Sequence, residues 1–236
     1  MRPAEIGIVM LENNIPRPVG DVGNPASFPF PVTLAVCKGA STDQVLENAA
    51  EGLLPVITET AKSLQVEGAR AVTTCCGFLA IHQQELAASL PVPVATSSLL
   101  QVPLVLQLLQ PHQSVGIITA NGTTLSASHL SSVGITTELR ERVHLIGIER
   151  TPHLYGVLTS DGQKLDQSVA ETEVVGVARE AVEENPDIGA FVLECTNLPP
   201  YSEAIKAATG RPVWDAISLI QWLQLGASGS NPTKTP

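Results

Sequence analysis

The sequence predicts an α/β protein built from two similar parallel-sheet subdomains, related by a pseudo-twofold axis, with the active site in the cleft between them. Three observations carry this reading. Short apolar, β-branched runs alternate with longer helix-like stretches along the 236 residues, the pattern that builds parallel sheets covered by helices. The runs are continuously apolar, as strands buried on both faces are. The second half also repeats the first in order. "IGIVM" is matched by "VGIIT", and Cys76 and Cys195 are each followed 17 residues later by a proline, Pro93 and Pro212, opening "PVATSSLLQ" and "PVWDAISLIQ".

Eight runs read as strands: Glu5–Leu11, Phe30–Cys37, Ala69–Cys76 and Val92–Ser97 in the first half, then Ser114–Ala120, Val143–Glu149, Ile188–Cys195 and Arg211–Ala216. From Ser41 to Gly68 the spacing of Val45, Ala49, Leu53, Ile57 and Leu64 marks one face of a long helix, with Ser41 or Thr42 as N-cap and a kink at Pro55. Ser168–Pro186 is its counterpart. The Pro- and Gly-rich stretch Asn13–Pro31 follows the first strand, where an open α/β sheet binds ligands, and is expected to close over the cleft. The expected division is 1–97 plus 213–225 for the first subdomain, 98–212 for the second, and a flexible tail over 226–236.

Composition narrows the function. Apolar residues at 44% and charged residues at 15% suit a sizeable core. A net charge of −10 and 3% aromatics argue against a nucleic-acid surface. No run reaches the ~20 apolar residues of a membrane span, and the first residues lack a signal peptide's pattern. A cytoplasmic protein with reduced thiols is expected, with no nucleic-acid or membrane partner. No zinc site is expected, because Cys75 and Cys76 are adjacent and lack the C-x₂₋₄-C spacing. Without a G-x-G-x-x-G pattern, no nucleotide cofactor is expected either.

Four cysteines occur: Cys37, Cys75, Cys76 and Cys195. Cys37 and Cys75 read as small buried side chains. Cys76 and Cys195 hold equivalent places in the repeat, each ending a strand before a turn, so both face one cleft. A thiol on each side of a bound carbon suits stereochemical inversion, one removing a proton and the other returning it. A helix N-terminus after each cysteine is expected to lower its pKa. The charge building on an adjacent carboxylate needs aimed donors. The candidates are Gly77, Thr196 and Asn197 beside the cysteines, Thr119, Asn121 and Thr123 after the first strand of the second half, and Glu12 and Asn13 after that of the first. No Lys or Arg lies between Arg70 and Arg140, which leaves Arg17 as the cation placed to reach a small anionic substrate.

The stretches "TTCCGFLA" and "VLECTNLPPY", with "PVGDVGNPASFPFPV" and "SSLLQVPLV", resemble the aspartate/glutamate racemase superfamily up to about Leu223. In the branch it is most similar to, the first motif reads Ser-Cys-Gly-Phe, which sets Cys75 at the Ser position. The resemblance implies two α/β subdomains, Cys76 and Cys195 as paired acid/bases, no pyridoxal phosphate or other cofactor, and a homo-oligomer. The amino-acid racemases of the superfamily carry Cys-Asn-Thr at the first site, where this chain has Cys76-Gly77-Phe78. Its glutamate-specific members carry His where this chain has Asn197. The expected activity is a cofactor-independent racemase or epimerase inverting a carbon next to a carboxylate. The alternatives are a maleate-type cis–trans isomerase or a hydantoin racemase on the same scaffold and, in another class, a non-catalytic small-carboxylate binder.

Overall fold

A computed structural model describes residues 5–160 and 162–228. Eight strands are present among them: β1 (Ile6–Leu11), β2 (Val32–Cys37), β3 (Ala71–Thr74), β4 (Val94–Ala95), β5 (Ser114–Thr119), β6 (Val143–Gly147), β7 (Ile188–Leu193) and β8 (Val213–Trp214). They form two four-stranded, all-parallel sheets of the same topology, β2-β1-β3-β4 and β6-β5-β7-β8. The central strands β1, β3, β5 and β7 are buried along their whole length, which is why they read as unbroken apolar runs. The edge strands β2 and β6 are mostly half-buried. All eight expected strands are found, each trimmed at one or both ends.

The α-helices are α1 (Thr42–Glu47), α2 (Leu54–Val66), α3 (Gln83–Ser89), α4 (Val102–Leu108), α5 (Ala127–Ser132), α6 (Thr137–Arg140), α7 (Leu154–Thr159), α8 (Gln167–Glu184), α9 (Ser202–Thr209) and α10 (Ala216–Ala227). The stretch 41–68 is two helices rather than one kinked helix. Ala49, Ala50 and Gly52 adopt left-handed backbone, with φ of 49°, 56° and 76°, and break the chain between α1 and α2. Pro55 lies in the first turn of α2, where its missing N–H costs nothing, so it starts a helix instead of bending one. Ser41 caps α1 through a capping box with Gln44. The counterpart α8 begins at Asp166, whose carboxylate accepts from Ser168 N–H and Val169 N–H.

One apolar core runs through both sheets, from Ile6 to Leu223. The last helix, α10, packs on β3 and β4 of the first sheet, while β8 belongs to the second, so the chain crosses back after Trp214. Gly226 and Ala227, read from sequence as the start of a tail, complete α10, and 229–236 lie outside the described residues. No helix among the described residues is long and apolar enough to cross a membrane.

Candidate active site

The two halves end their third strand in the same way. Cys75 N–H donates to the Val9 carbonyl at 2.9 Å, and Glu194 N–H donates to the Ile118 carbonyl at 2.8 Å. The next residue is the cysteine of interest in each half. Leu79 N–H then bonds the Cys76 carbonyl at 3.1 Å, and Leu198 N–H bonds the Cys195 carbonyl at 3.1 Å. In both turns the backbone N–H two residues on is directed at sulfur, from Phe78 to Cys76 and from Asn197 to Cys195. The duplication inferred from sequence is thus a duplication of backbone geometry around each thiol.

Both thiols line one cavity of about 30 Å³, room for a few waters, with Leu11, Ile15, Leu46, Phe78 and Leu158 as apolar walls. Arg17, Asn13, Glu194, Thr196 and Asn197 bring polar atoms to it. The floor is tied across the halves. Thr196 hydroxyl donates to the Cys75 carbonyl; within the second half, Ser98 hydroxyl donates to the Leu193 carbonyl at 2.6 Å.

The loop 13–31 reaches from the first half onto the second cysteine turn. Val22 N–H donates to the Thr196 carbonyl at 3.4 Å. Asp21, fully buried, accepts from Asn197 Nδ2 at 2.6 Å and from Gly23 N–H at 2.7 Å, and pairs with Arg17 at 3.2 Å. Arg17 also donates to Asn13 Oδ1 at 3.1 Å. With its amide nitrogen held by Asp21, Asn197 turns Oδ1 toward Cys195, whose S–H donates to it at 3.7 Å. Asp21 therefore fixes which way Asn197 faces, and Asn197 fixes the Cys195 thiol.

Electrostatics differ from the sequence expectation. The expected lowering of the thiol pKa by a helix N-terminus is absent. Burial, and next the Glu194 carboxylate, push Cys76 well above the usual thiol range and raise Cys195 in the same way. The first helical segments after the cysteines are short 3-10 helices, Gly77–His82 and Pro199–Tyr201, with α3 and α9 starting only beyond them, and neither short helix offsets the desolvation. Glu194 is itself pushed up to about 7 by burial, resisted by hydrogen bonds from Thr119 hydroxyl and Ala120 N–H. Burial also raises Asp21, against the pull of Arg17.

Of the sequence candidates, the structure brings Cys76, Cys195, Asn13, Gly77, Thr196 and Asn197 to the one cavity. Four lie off it. Glu12 is exposed, and its carboxylate accepts from Gly39 N–H at 2.8 Å. Thr119 is buried behind the wall, its hydroxyl donated to Glu194 Oε2 at 2.7 Å. Asn121 donates to Tyr155 hydroxyl of α7 at 3.3 Å and accepts from the Thr123 hydroxyl of its own turn at 2.7 Å, which occupies both side chains away from the cavity. Cys75 sits beside the site with Sγ accepting from Leu11 N–H at 3.1 Å, and Cys37 is buried in the first sheet. All four cysteines are unpaired, and no cluster of residues fit to hold a metal occurs among the described residues.

Sequence reasoning missed Glu194 and Asp21. A single acid in the apolar run "IGAFVLEC" was the available signal for Glu194, because a solvated residue has no place there. Asp21 gave none, since a polar residue in a Pro/Gly loop is ordinary.

No protein-family model matches the chain. Dimethylsulfoniopropionate lyase 7 of Emiliania huxleyi (strain CCMP1516) is 30% identical over 230 residues, 90% of this chain and 64% of that protein. The dimethylsulfoniopropionate lyase of Durusdinium sp. clade D is 30% identical over 229 residues, 92% of this chain and 73% of that protein. The chain belongs to the dimethylsulfoniopropionate lyase family. It spans only part of these family members, less than two thirds of the first. By fold it matches a glutamate racemase isoform from Bacillus anthracis, with a TM-score of 0.59, 16% identity and 96% and 84% of the two chains covered. It also matches an aspartate racemase from Picrophilus torridus, with a TM-score of 0.59, 14% identity and 94% of each chain covered. An arylmalonate decarboxylase variant in a sulfate-associated form gives a TM-score of 0.59, 16% identity and 96% and 94% coverage. The racemase resemblance thus holds for the fold, while the sequence relatives are named as lyases. Relatives by sequence and by fold alike are enzymes.

Proposed function

We propose that the protein is a cofactor-independent lyase acting on a small carboxylate. A cysteine thiolate removes the proton from the carbon next to the carboxylate, and a sulfur leaving group departs from the neighbouring carbon. With dimethylsulfoniopropionate, the C–H electron pair becomes a carbon–carbon double bond. The C–S pair leaves with sulfur as dimethyl sulfide, acrylate remains, and the thiol later returns its proton to water. The observation that carries the reading is the convergence of Cys76 and Cys195 on one cavity that also holds Arg17. Arg17 and Asn13 are suited to the carboxylate, and the apolar walls to the alkyl groups on sulfur. The loop 13–31 excludes water from the developing carbanion. Incubation with dimethylsulfoniopropionate should release dimethyl sulfide and acrylate in equal amounts; no release from correctly folded protein ends this reading.

A second reading is favoured by one feature. Elimination needs one base, yet two thiols stand in matched turns. Such a pair suits inversion at the carbon next to the carboxylate of an amino acid or related small acid, with the thiols exchanging roles. In D₂O a two-thiol inverting enzyme places deuterium at the stereocentre of the inverted product, because the second thiol delivers a solvent-derived proton. Elimination instead yields an unsaturated acid and the released sulfur compound, with no inverted, labelled acid.

A further inference from the structure

Glu194 has no part in either reading, yet it sits between the two cysteine turns. It precedes Cys195, and its carboxylate lies against Gly77, the residue after Cys76. A Cβ at Gly77 would overlap both Oε1 and the Glu194 carbonyl. The side chain is wholly buried and lines the cavity. Oε2 accepts from Thr119, while Oε1 has no hydrogen-bond partner among the described residues. No ion pair to Glu194 occurs among the described residues either. The titratable groups around it are Cys76 from the first turn and Cys195 from its own. Cys75 and Arg17 lie on the same cavity, with Asp21 paired to Arg17.

We propose that Glu194 is a charge gate for the cysteine pair: the cavity accommodates one negative charge, and this carboxylate competes with Cys76 and Cys195 for it. Two unpaired anions in a dry site repel strongly, because little solvent screens them. The three groups therefore titrate as a unit. The first proton lost comes from Glu194, at about pH 7, because burial has raised it to that value. Below that pH a thiolate forms beside a neutral acid, and its population rises tenfold per pH unit. Above it the carboxylate already holds the charge, and the thiolate population stops rising. Glu194 is a positioning residue in this scheme: it acts on sulfur through charge and touches no reacting atom. The inference rests on the two thiols as acid/bases and sets the pH at which they work.

The test is alkylation by iodoacetamide, followed at Cys76 and Cys195 by mass spectrometry of the full chain from about pH 6 to about pH 9. Wild type and Glu194→Gln should react alike at low pH. Above about pH 7 the wild type should level off while Glu194→Gln keeps climbing, to about tenfold faster near pH 8 and about 100-fold near pH 9. Thr119→Val removes a donor that favours the ionised carboxylate, so it should move the wild-type break to higher pH. Parallel profiles for wild type and Glu194→Gln overturn the proposal. If Glu194→Gln does not fold, Thr119→Val decides, and an unmoved break overturns it. Alkylation needs no substrate, so a failure of the lyase reading leaves this result intact, and parallel profiles in a protein that releases dimethyl sulfide sink the gate alone.

Discussion

The first half places a neutral thiol before its key cysteine, and the second half places an acid at the same point. Cys75 Sγ receives the Leu11 N–H at 3.1 Å. Glu194, at the matching position, receives the Ala120 N–H on its carboxylate. The backbone bonds around the two sites agree within a tenth of an ångström. The loops after the first strands differ as well. The first half's loop reaches the opposite turn through a polar bond, Asp21 to Asn197. The second half's segment after β5 meets the Cys76 turn by packing instead, with the His129 ring of α5 edge-on to Phe78 at 5.2 Å between centroids. Duplication therefore supplied two equivalent mounts for sulfur, and later substitution made their surroundings unequal. Symmetric thiols with asymmetric neighbours fit a reaction in which the two cysteines do not share the work evenly.

That comparison can be broken most directly at the cysteines. Cys76→Ser and Cys195→Ser should each cut turnover by about 100- to 10,000-fold, measured as dimethyl sulfide release. Equal losses would speak for shared work, unequal ones for a single base. Next in size is the pH dependence of stability that Glu194 imposes. Its pKa of about 7 in the folded chain stands above its ordinary 4.5. Between those values the folded state keeps a proton that the unfolded state has lost. Its contribution is greatest at the acid end and falls as pH rises through that window, by roughly 3 kcal/mol. Urea titrations should show this slope in wild type and not in Glu194→Gln. Gly77→Ala should cost about 2 kcal/mol in the same assay, because its methyl group overlaps the Glu194 carboxylate. Asp21→Ala should lower kcat about tenfold, the worth of one hydrogen bond to a charged group, by freeing Asn197 to turn from Cys195. Cys75→Ser should matter least, below about 1 kcal/mol, since a hydroxyl still accepts from Leu11 N–H.

The sheets were legible because parallel strands buried on both faces leave an unmistakable run of apolar residues, as in β1 and β7. The repeat then brought Cys76 and Cys195 together without any side-chain information. The break at Ala49 and Ala50 was not legible, because a left-handed backbone at alanine leaves no mark in the sequence. Asn121 and Thr123 were assigned to the site by their place after a strand. Short polar residues after a strand as readily bond within their own turn, as these do. The thiol pKa shift was missed for a related reason. Position in a turn was readable, but the depth of burial and the acid beside Cys195 depend on packing from both halves.

The hydroxyl of Thr196, bonded across the halves to the Cys75 carbonyl, has a consequence for traffic. It rivets the two sulfur-bearing corners to each other, so the spacing between sulfurs is a fixed gauge rather than a jaw. A guest larger than a few waters must then win its space from the other lining elements, among them α1 with Leu46 and α7 with Leu158. The door and the tools of this molecule are mounted on different walls.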